Sequence, residues 1–281
     1  MLKNRKRLLL LLGTVMLAVV LSGCSGSTAP ITSESTGFWD HYIIWNFSRV
    51  IIWLSEVFGN NYGVGIIVFT LIIRIILLPV MQMQTKSTRK MAEIQPQLKE
   101  LQEKYSTKDV ETQQKLREEQ QKLYSENGAN PMMGCLPMLL QMPLLIALYQ
   151  SISRTEVIKA GHFLWVNLGE KDPYYILPIL AAILTFATSK LTMMGQSQTN
   201  GMTGAMTYMM PALILFMAIT LPSALSLYWV VGNAFSVGQT MLLNNPFKIK
   251  REREAKEQAK KDREKALKKA QSPNKKRSKK R

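Results

Sequence analysis

Arg74 carries the clearest chemical consequence in this chain, because it lies near the middle of the most hydrophobic stretch, residues 63–81, which contains no Asp or Glu. An isolated charge at the depth of a lipid bilayer costs from about 3 to more than 10 kcal/mol, depending on how much water reaches it. Either Arg74 is paired with a polar group inside a helix bundle, or it faces a water-filled cavity within the membrane. The rest of the chain favours the cavity.

Polar and aromatic side chains in other apolar stretches could line the same cavity. Thr70 precedes Arg74 by four residues and so shares its face of a helix, whereas Gln82 lies two turns beyond it. Any one of these residues is commonly a packed side chain with a local partner, but together they predict a polar groove. The candidate groove residues are Thr70, Arg74, Gln82, Gln141, Tyr228, Trp229 and Asn233.

The sequence lacks the residue patterns of covalent catalysis. Its two histidines, His41 and His162, fall in segments predicted to lie outside the cell. It contains no Gly-x-Ser-x-Gly, no metal-spaced His/Cys set, no phosphate loop and no pair of carboxylates within a span. We therefore expect a protein that is not an enzyme and that binds neither a cofactor nor a metal ion.

The elements that position these residues are predicted from the spacing of the apolar blocks. Blocks of about 16 to 21 apolar residues alternate with polar stretches, which is typical of an all-α, polytopic membrane protein. We predict five transmembrane helices around a hydrophilic groove. The five predicted spans are residues 63–83, 132–152, 174–194, 206–221 and 224–243.

The N-terminus is predicted to be a lipoprotein signal peptide, residues 1–23. A basic start and a short apolar core are followed by Leu21-Ser22-Gly23-Cys24, which resembles the bacterial lipobox. We expect cleavage before Cys24 and attachment of lipid to it; the alternative is an uncleaved first span. Lipidation of Cys24 would leave Cys135 alone, so that no disulfide could form within the chain.

Two further segments are predicted to lie on the outer side of the membrane before the first span. Residues 24–37 form a linker, and residues 38–60 mix tryptophan with charged residues, which suits an amphipathic helix at the membrane surface. An ordinary spanning helix is the alternative for residues 38–60. The loop 153–173, with balanced charge, is also expected outside.

Residues 84–130 hold nine Lys or Arg, which places them in the cytoplasm. Apolar residues recur there at spacings of 3 and 4, from Met91 through Ile94, Leu98 and Leu101 to Tyr105, followed by a turn at 106–109 and a second helix. This pattern predicts a cytoplasmic helical hairpin over 84–130. The loop 195–205 and the C-terminus are expected on the same side, in the plasma membrane of a bacterium.

The tail, residues 246–281, contains 17 basic and 5 acidic residues and accounts for most of the chain's net charge of +17. We expect it to be disordered or helical only in part. It could bind anionic lipid head groups or the phosphates of ribosomal RNA. The residues predicted to do so are Lys248, Lys250, Arg251, Arg253, Lys275, Lys276, Arg277, Lys279, Lys280 and Arg281.

Three stretches of the chain together resemble the YidC/Oxa1/Alb3 family of membrane protein insertases, in its Gram-positive lipoprotein form. They are VFTLIIRIILLPVMQMQTKSTRKMAEIQPQLKELQEKY, NPMMGCLPMLLQMPLLIALYQSI and LPSALSLYWVVGN. The resemblance implies a five-span core whose groove opens to the cytoplasm and to lipid. It also implies that Arg74 and Thr70 line the groove and that Tyr228 and Trp229 contact clients. The family often carries Gln near the inner end of the third span, where this chain has Thr192.

The resemblance further implies that the hairpin receives nascent membrane proteins and that a long basic tail binds ribosomes. The expected function is insertion of client membrane proteins, either alone or with the Sec translocon. Two other functions fit the residues: a transporter of small anionic solutes or ions, and a ribosome tether or assembly factor. Saturable solute flux into liposomes would identify the transporter.

Overall fold

The computed structural model describes residues 29–107, 109–134, 136–194, 201–243 and 245–271. The predicted signal peptide and Cys24 lie outside the described residues, as does Cys135. Ten α-helices are present in the described part of the chain. They are α1 (Trp45–Val57), α2 (Tyr62–Ile76), α3 (Leu78–Lys104), α4 (Val110–Glu126), α5 (Leu136–Arg154), α6 (Glu156–Lys159), α7 (Ile176–Met194), α8 (Gly201–Thr220), α9 (Ser223–Leu243) and α10 (Pro246–Gln271).

Short irregular elements complete the chain. A π-helical segment, Phe38–Ile44, runs directly into α1, and a 3-10 turn, Pro131–Gly134, precedes α5. The strands β1 (His162–Phe163) and β2 (Val166–Asn167) pair antiparallel, with His162 opposite Asn167. The fold is therefore all-α apart from this two-stranded ribbon, as predicted.

The predicted first span, 63–83, is not a single regular helix. Helix α2 ends at Ile76, and α3 begins at Leu78 and continues through Lys104. Pro79 explains the break, because it has no N–H to donate to the carbonyl of Ile75 and its ring crowds that carbonyl. The last six residues of the predicted span, 78–83, thus belong to the first helix of the hairpin.

Helices α1 and α2 are bent by 117° relative to each other at the turn 58–61. Gly59 and Asn60 occupy the left-handed region of backbone conformation in this turn. The helices then approach closely at Gly65, where a Cβ would lie 2.9 Å from the carbonyl oxygen of Ile51 and would also strike Ser55. Glycine at this position allows the two helix backbones to pack in contact.

The interior is packed tightly at one end of the helix bundle, which we call the loop end because it carries residues 155–175. Helix α9 packs against α2 and α7, and α7 packs against α8. The buried residues of α2 lie within its first half, up to Thr70, and those of α7 lie in its first two turns. Those of α9 run from Ser223 to Trp229, with Gly232 beyond them. Towards the opposite end, most side chains of these three helices are half-buried or exposed.

Length and composition alone identify two helices of the described residues as able to cross a membrane, Pro131–Arg154 and Ile176–Met194. The bent pair Phe38–Val57 and Tyr62–Ile76 gives a third if it counts as one span, and Gly204–Thr220 is a shorter apolar helix. The predicted count of five spans is not confirmed by this test.

Helices α3 and α4 lie side by side as a hairpin. The apolar residues of α3 whose spacing predicted the hairpin, from Met91 to Tyr105, are all half-buried or buried, and Ile94 is 3% exposed. Asp109 ends the turn between the helices by accepting a 2.8 Å hydrogen bond from the backbone N–H of Thr112, which caps α4.

The sequence predicts a tail that is disordered or helical only in part; in its described part, Pro246–Gln271 forms one continuous helix, α10, so these residues are not disordered. Asn245 caps it by accepting hydrogen bonds from the backbone N–H groups of Phe247 and Lys248. Lys250 and Glu254 lie 3.8 Å apart on adjacent turns. Capping, pairs of this kind and the high helix propensity of Ala, Lys and Glu outweigh the lack of an apolar face.

Candidate functional site

Arg74 lies in the last turn of α2 and is half-buried against α9. Its Nη1 donates a long hydrogen bond of 3.5 Å to the Oγ of Ser236. Within the described ranges, no carboxylate lies within ion-pair distance of it. The positive charge of the guanidinium is therefore not offset by a carboxylate of the described residues.

The other N–H donors of the guanidinium have no protein acceptor among the described residues, yet no buried side-chain nitrogen or oxygen there lacks a hydrogen-bond partner. These donors are consequently accessible at the surface between α2 and α9. An accessible, uncompensated guanidinium can bind a carboxylate or other anion through several donors.

Helix α9 presents one polar face to Arg74. Tyr228, Gly232 and Ser236 are spaced four residues apart, so they lie on the same side of the helix. Ser236 donates its hydroxyl proton to the carbonyl oxygen of Gly232 at 2.9 Å, which leaves the Oγ lone pairs to accept from Arg74. Gly232 and Ser236 were not among the sequence-predicted site residues; their spacing from Tyr228 was the available signal.

Gln141 and Tyr228 are brought together from α5 and α9. The amide Nε2 of Gln141 donates a 2.6 Å hydrogen bond to the phenolic oxygen of Tyr228, which is 2% exposed. Two residues selected from separate predicted spans thus form one contact. It joins α5 to the helix against which Arg74 packs.

Thr70 is fully buried one turn before Arg74, and its hydroxyl donates to the carbonyl of Ile66 at 2.6 Å. The side chain is therefore satisfied by its own helix. Thr70 lies on the same face of α2 as Arg74, as its four-residue spacing predicts. In the described part of the chain, no hydrogen bond joins the two side chains.

Trp229 and Asn233 point to a different side of α9 from Arg74. Trp229 is 5% exposed and belongs to the hydrophobic core at the loop end. Asn233 donates to the Oγ1 of Thr185 at 2.9 Å, and its carbonyl accepts a 3.5 Å bond from Thr188. Both Thr185 and Thr188 lie on α7, so Asn233 links α9 to α7.

Gln82 and Thr192 are not joined to the other candidates. Gln82 is half-buried on α3, beyond the break at Leu77, and has no hydrogen bond to Arg74 or Tyr228 among the residues described. Thr192 is exposed near the end of α7 and donates to the carbonyl of Thr188 within its own helix. The break in the predicted first span explains why Gln82 does not continue the face of Arg74.

The basic residues of the tail are described only in part. Lys248, Lys250 and Arg251 are exposed on α10, and Arg253 is half-buried. The remaining six predicted residues, Lys275, Lys276, Arg277, Lys279, Lys280 and Arg281, lie outside the described residues. In the portion of the chain that is described, no group of three His, Cys, Asp or Glu is placed to hold a metal ion.

An all-α fold in which two helices of the described residues are long and apolar enough to cross a membrane is typical of a helical membrane protein, and comparison with known proteins gives its family. The family model of the 60Kd inner membrane protein matches residues 53–252. The chain belongs to this family, and the resemblance to YidC-type insertases predicted from the sequence is confirmed.

Two curated relatives show the extent of the similarity. Membrane protein insertase YidC 2 of Lactiplantibacillus plantarum is 62% identical over 257 residues, which cover 92% of each chain. Membrane protein insertase YidC of Enterococcus faecalis is 58% identical over 274 residues, 98% of each chain. The similarity therefore extends well beyond the motif-bearing stretches.

A solved structure shares the fold. The crystal structure of an active YidC insertase with its first transmembrane domain resolved is 28% identical, with a TM-score of 0.57 over 73% of this chain. This chain spans 47% of that protein's length.

Proposed function

We propose that this chain inserts client membrane proteins into the plasma membrane of a bacterium, and that Arg74 binds the acidic residues of the client segment that crosses. The observation that carries the proposal is the state of Arg74: half-buried between α2 and α9, without a carboxylate partner in the described residues, and with accessible N–H donors. The clients are nascent membrane proteins, in keeping with the relatives' name, membrane protein insertase.

The distribution of buried residues supports a groove that is closed at one end. Packing is tight at the loop end, where Leu168, Ile158 and Leu225 are each no more than 1% exposed. Arg74 and Ser236 lie towards the less tightly packed end. A client's hydrophilic segment would enter from that end and meet the guanidinium there.

The groove lowers the free energy of crossing because it shortens the apolar path of the client's polar segment. Burial of a client's stretch of about 20 apolar residues in lipid drives the reaction. The membrane potential adds roughly 2 kcal/mol for each acidic charge moved outward at 100 mV. No covalent step is required.

The membrane topology is part of the proposal. Five helices, α2, α5, α7, α8 and α9, coincide with the predicted spans to within a few residues, except where α2 ends early. With Cys24 lipidated outside the cell, the loop end faces outward. The α3–α4 hairpin and α10 are then cytoplasmic, and the open end of the groove faces the cytoplasm.

Helix α10 supplies the proposed contact with a polyanion. It carries eleven basic and five acidic residues over Pro246–Gln271, a net charge of +6, and most of its side chains are exposed. Such a helix is suited to ribosomal RNA near the site of synthesis or to anionic lipid head groups. Cooperation with the Sec translocon is part of this proposal as a second route for clients.

The test measures insertion by the purified full-length protein in liposomes. The clients are single-span proteins with an acidic N-terminal tail, each paired with a version whose tail acids are replaced by Asn or Gln. Arg74→Ala should impair insertion of the acidic clients, whereas Arg74→Lys should retain much of the activity. Equal insertion of the acidic clients by the wild type and Arg74→Ala would refute the electrostatic role.

A further inference from the structure

We infer that Gly232 is a positioning residue for Arg74: its missing side chain provides the place on α9 in which the guanidinium lies. The inference rests on the proposed function, because it explains how the charge assigned to client binding is held. A Cβ added at residue 232 would lie 2.5 Å from Nη2 of Arg74 and 3.2 Å from both Cζ and Nε. The guanidinium therefore occupies the volume that any other residue's side chain would fill.

Glycine at residue 232 lowers the stability of α9, so its presence there suggests that the space beside it is used by another group. In the interior of a helix it is less favourable than Ala, because it has more backbone freedom to lose on folding. Gly238, six residues further along α9, has no heavy atom within 4 Å of its added Cβ. Gly232 is buried, and the guanidinium of Arg74 occupies the space where its side chain would be. The two glycines of α9 therefore differ in whether another residue uses the space beside them.

Gly232 also takes part in the hydrogen bonds that fix the arginine. Its carbonyl accepts the proton of Ser236, and the Oγ of Ser236 accepts from Nη1 of Arg74. The guanidinium is therefore held against α9, with Nη1 at Ser236 and with Nη2 and Nε beside Gly232. This contact sets the orientation of its planar fork of donors, on which a bidentate interaction with a carboxylate depends.

A methyl group at residue 232 would displace the guanidinium from α9 and misdirect those donors. The displacement should weaken binding of acidic client tails without changing the handling of neutral ones. Lysine at residue 74 lacks the planar fork, and its single ammonium on a flexible stem can avoid the added methyl group. Gly232→Ala should accordingly be harmful with Arg74 and harmless with Lys at residue 74.

The experiment compares Gly232→Ala, Gly238→Ala, Arg74→Lys and the double variant Gly232→Ala/Arg74→Lys, all full length and in liposomes. Gly232→Ala should lower insertion of acidic-tailed clients about threefold or more, as expected for residues in direct contact. Gly238→Ala, which makes the same change in an open position, should change it less than about twofold. The double variant should insert acidic clients as well as Arg74→Lys alone.

Three results would overturn the inference: no effect of Gly232→Ala on acidic clients, an equal loss for acidic and neutral clients, or the same loss in the Arg74→Lys background. A variant that fails to fold would lose both client types and would not be rescued by lysine, which is the second of these results. Failure of the proposed function is distinguishable, since then Arg74→Ala itself would leave acidic clients unaffected.

Discussion

The side-chain amide of Gln141 donates a 2.6 Å hydrogen bond to the phenolic oxygen of Tyr228, across 87 residues of sequence. Tyr228 is 2% exposed, whereas Gln141 is half-buried, so the bond lies at the edge of the buried core. It joins α5 to α9, the helix that also seats Arg74.

Loss of the Gln141–Tyr228 bond should destabilise the protein modestly and should appear as coupling between the two residues. We expect Tyr228→Phe and Gln141→Met to be non-additive by about 1 kcal/mol in the free energy of unfolding, the usual net value of one hydrogen bond. The free energies of unfolding of the wild type, the two single variants and the double variant are measured in detergent micelles. Tyr149→Phe, an exposed tyrosine on α5, is the control and should change stability by less than about 0.5 kcal/mol. Strict additivity would show that the bond contributes nothing.

Arg154 ties the start of the described chain to the end of α5. Its two terminal nitrogens bind both carboxylate oxygens of Asp40, at 3.1 and 2.6 Å, and its Nε donates to the carbonyl of Ala29 at 2.8 Å. The arginine side chain is 6% exposed and that of Asp40 is 20% exposed. A buried arginine bound in this way fixes the π-helical segment against α5.

Removal of this arginine should be strongly destabilising. Arg154→Ala leaves the largely buried carboxylate of Asp40 without its ion-pair partner, which we expect to lower the free energy of unfolding by about 3 kcal/mol. Arg154→Lys should retain only part of this stabilisation, because lysine cannot make the bidentate contact with Asp40. Thermal unfolding and protease sensitivity of residues 29–44 are the measurements.

Arg49→Ala serves as the matched control for Arg154, since Arg49 is an exposed arginine on α1 whose guanidinium lies 6.0 Å from the ring of Trp45. It should be nearly neutral. If the two alanine variants unfold at the same temperature, the Asp40 contact does not stabilise the protein.

The first turn of α4 should depend on pH through Asp109. The backbone N–H of Thr112, as the largest cause, lowers the pKa of this carboxyl from its ordinary value of 3.8 to about 2. A depressed folded-state pKa means that the stabilisation is complete above 3.8 and is lost as the pH falls through about 2. Hydrogen exchange of the amides of the first turn, corrected for intrinsic rates, should therefore lose protection in that window.

Asp109→Asn separates titration from capping. The asparagine side chain still offers an oxygen to Thr112 but does not titrate, so its protection should not change over the same pH window. Asp109→Ala should lose protection at every pH. If the first-turn amides of the wild type keep constant protection from about pH 4 to below about pH 2, Asp109 does not control the stability of this turn.

The sequence by itself determined the elements and the family. Apolar blocks predicted helices where α2, α5, α7, α8 and α9 lie, and the charge within the most apolar stretch singled out Arg74 as a candidate site residue. The spacing of 3 and 4 between apolar residues correctly predicted which face of α3 is turned away from solvent. These features are local, because hydrophobic periodicity, and the presence of a charge within an apolar stretch, are read from neighbouring residues alone.

Only the tertiary structure decided which faces meet. The sequence did not indicate that Arg154 pairs with Asp40 rather than with the acidic residues of its own loop, or that Gly232 makes room for Arg74. Nor did it show that the tail is one continuous helix as far as Gln271, or that the helix of the predicted first span is interrupted at Leu77. Contacts between residues 74 and 232, or 40 and 154, depend on the rotation and crossing of helices, which are set by packing of the whole bundle. Local periodicity carries no information on that packing.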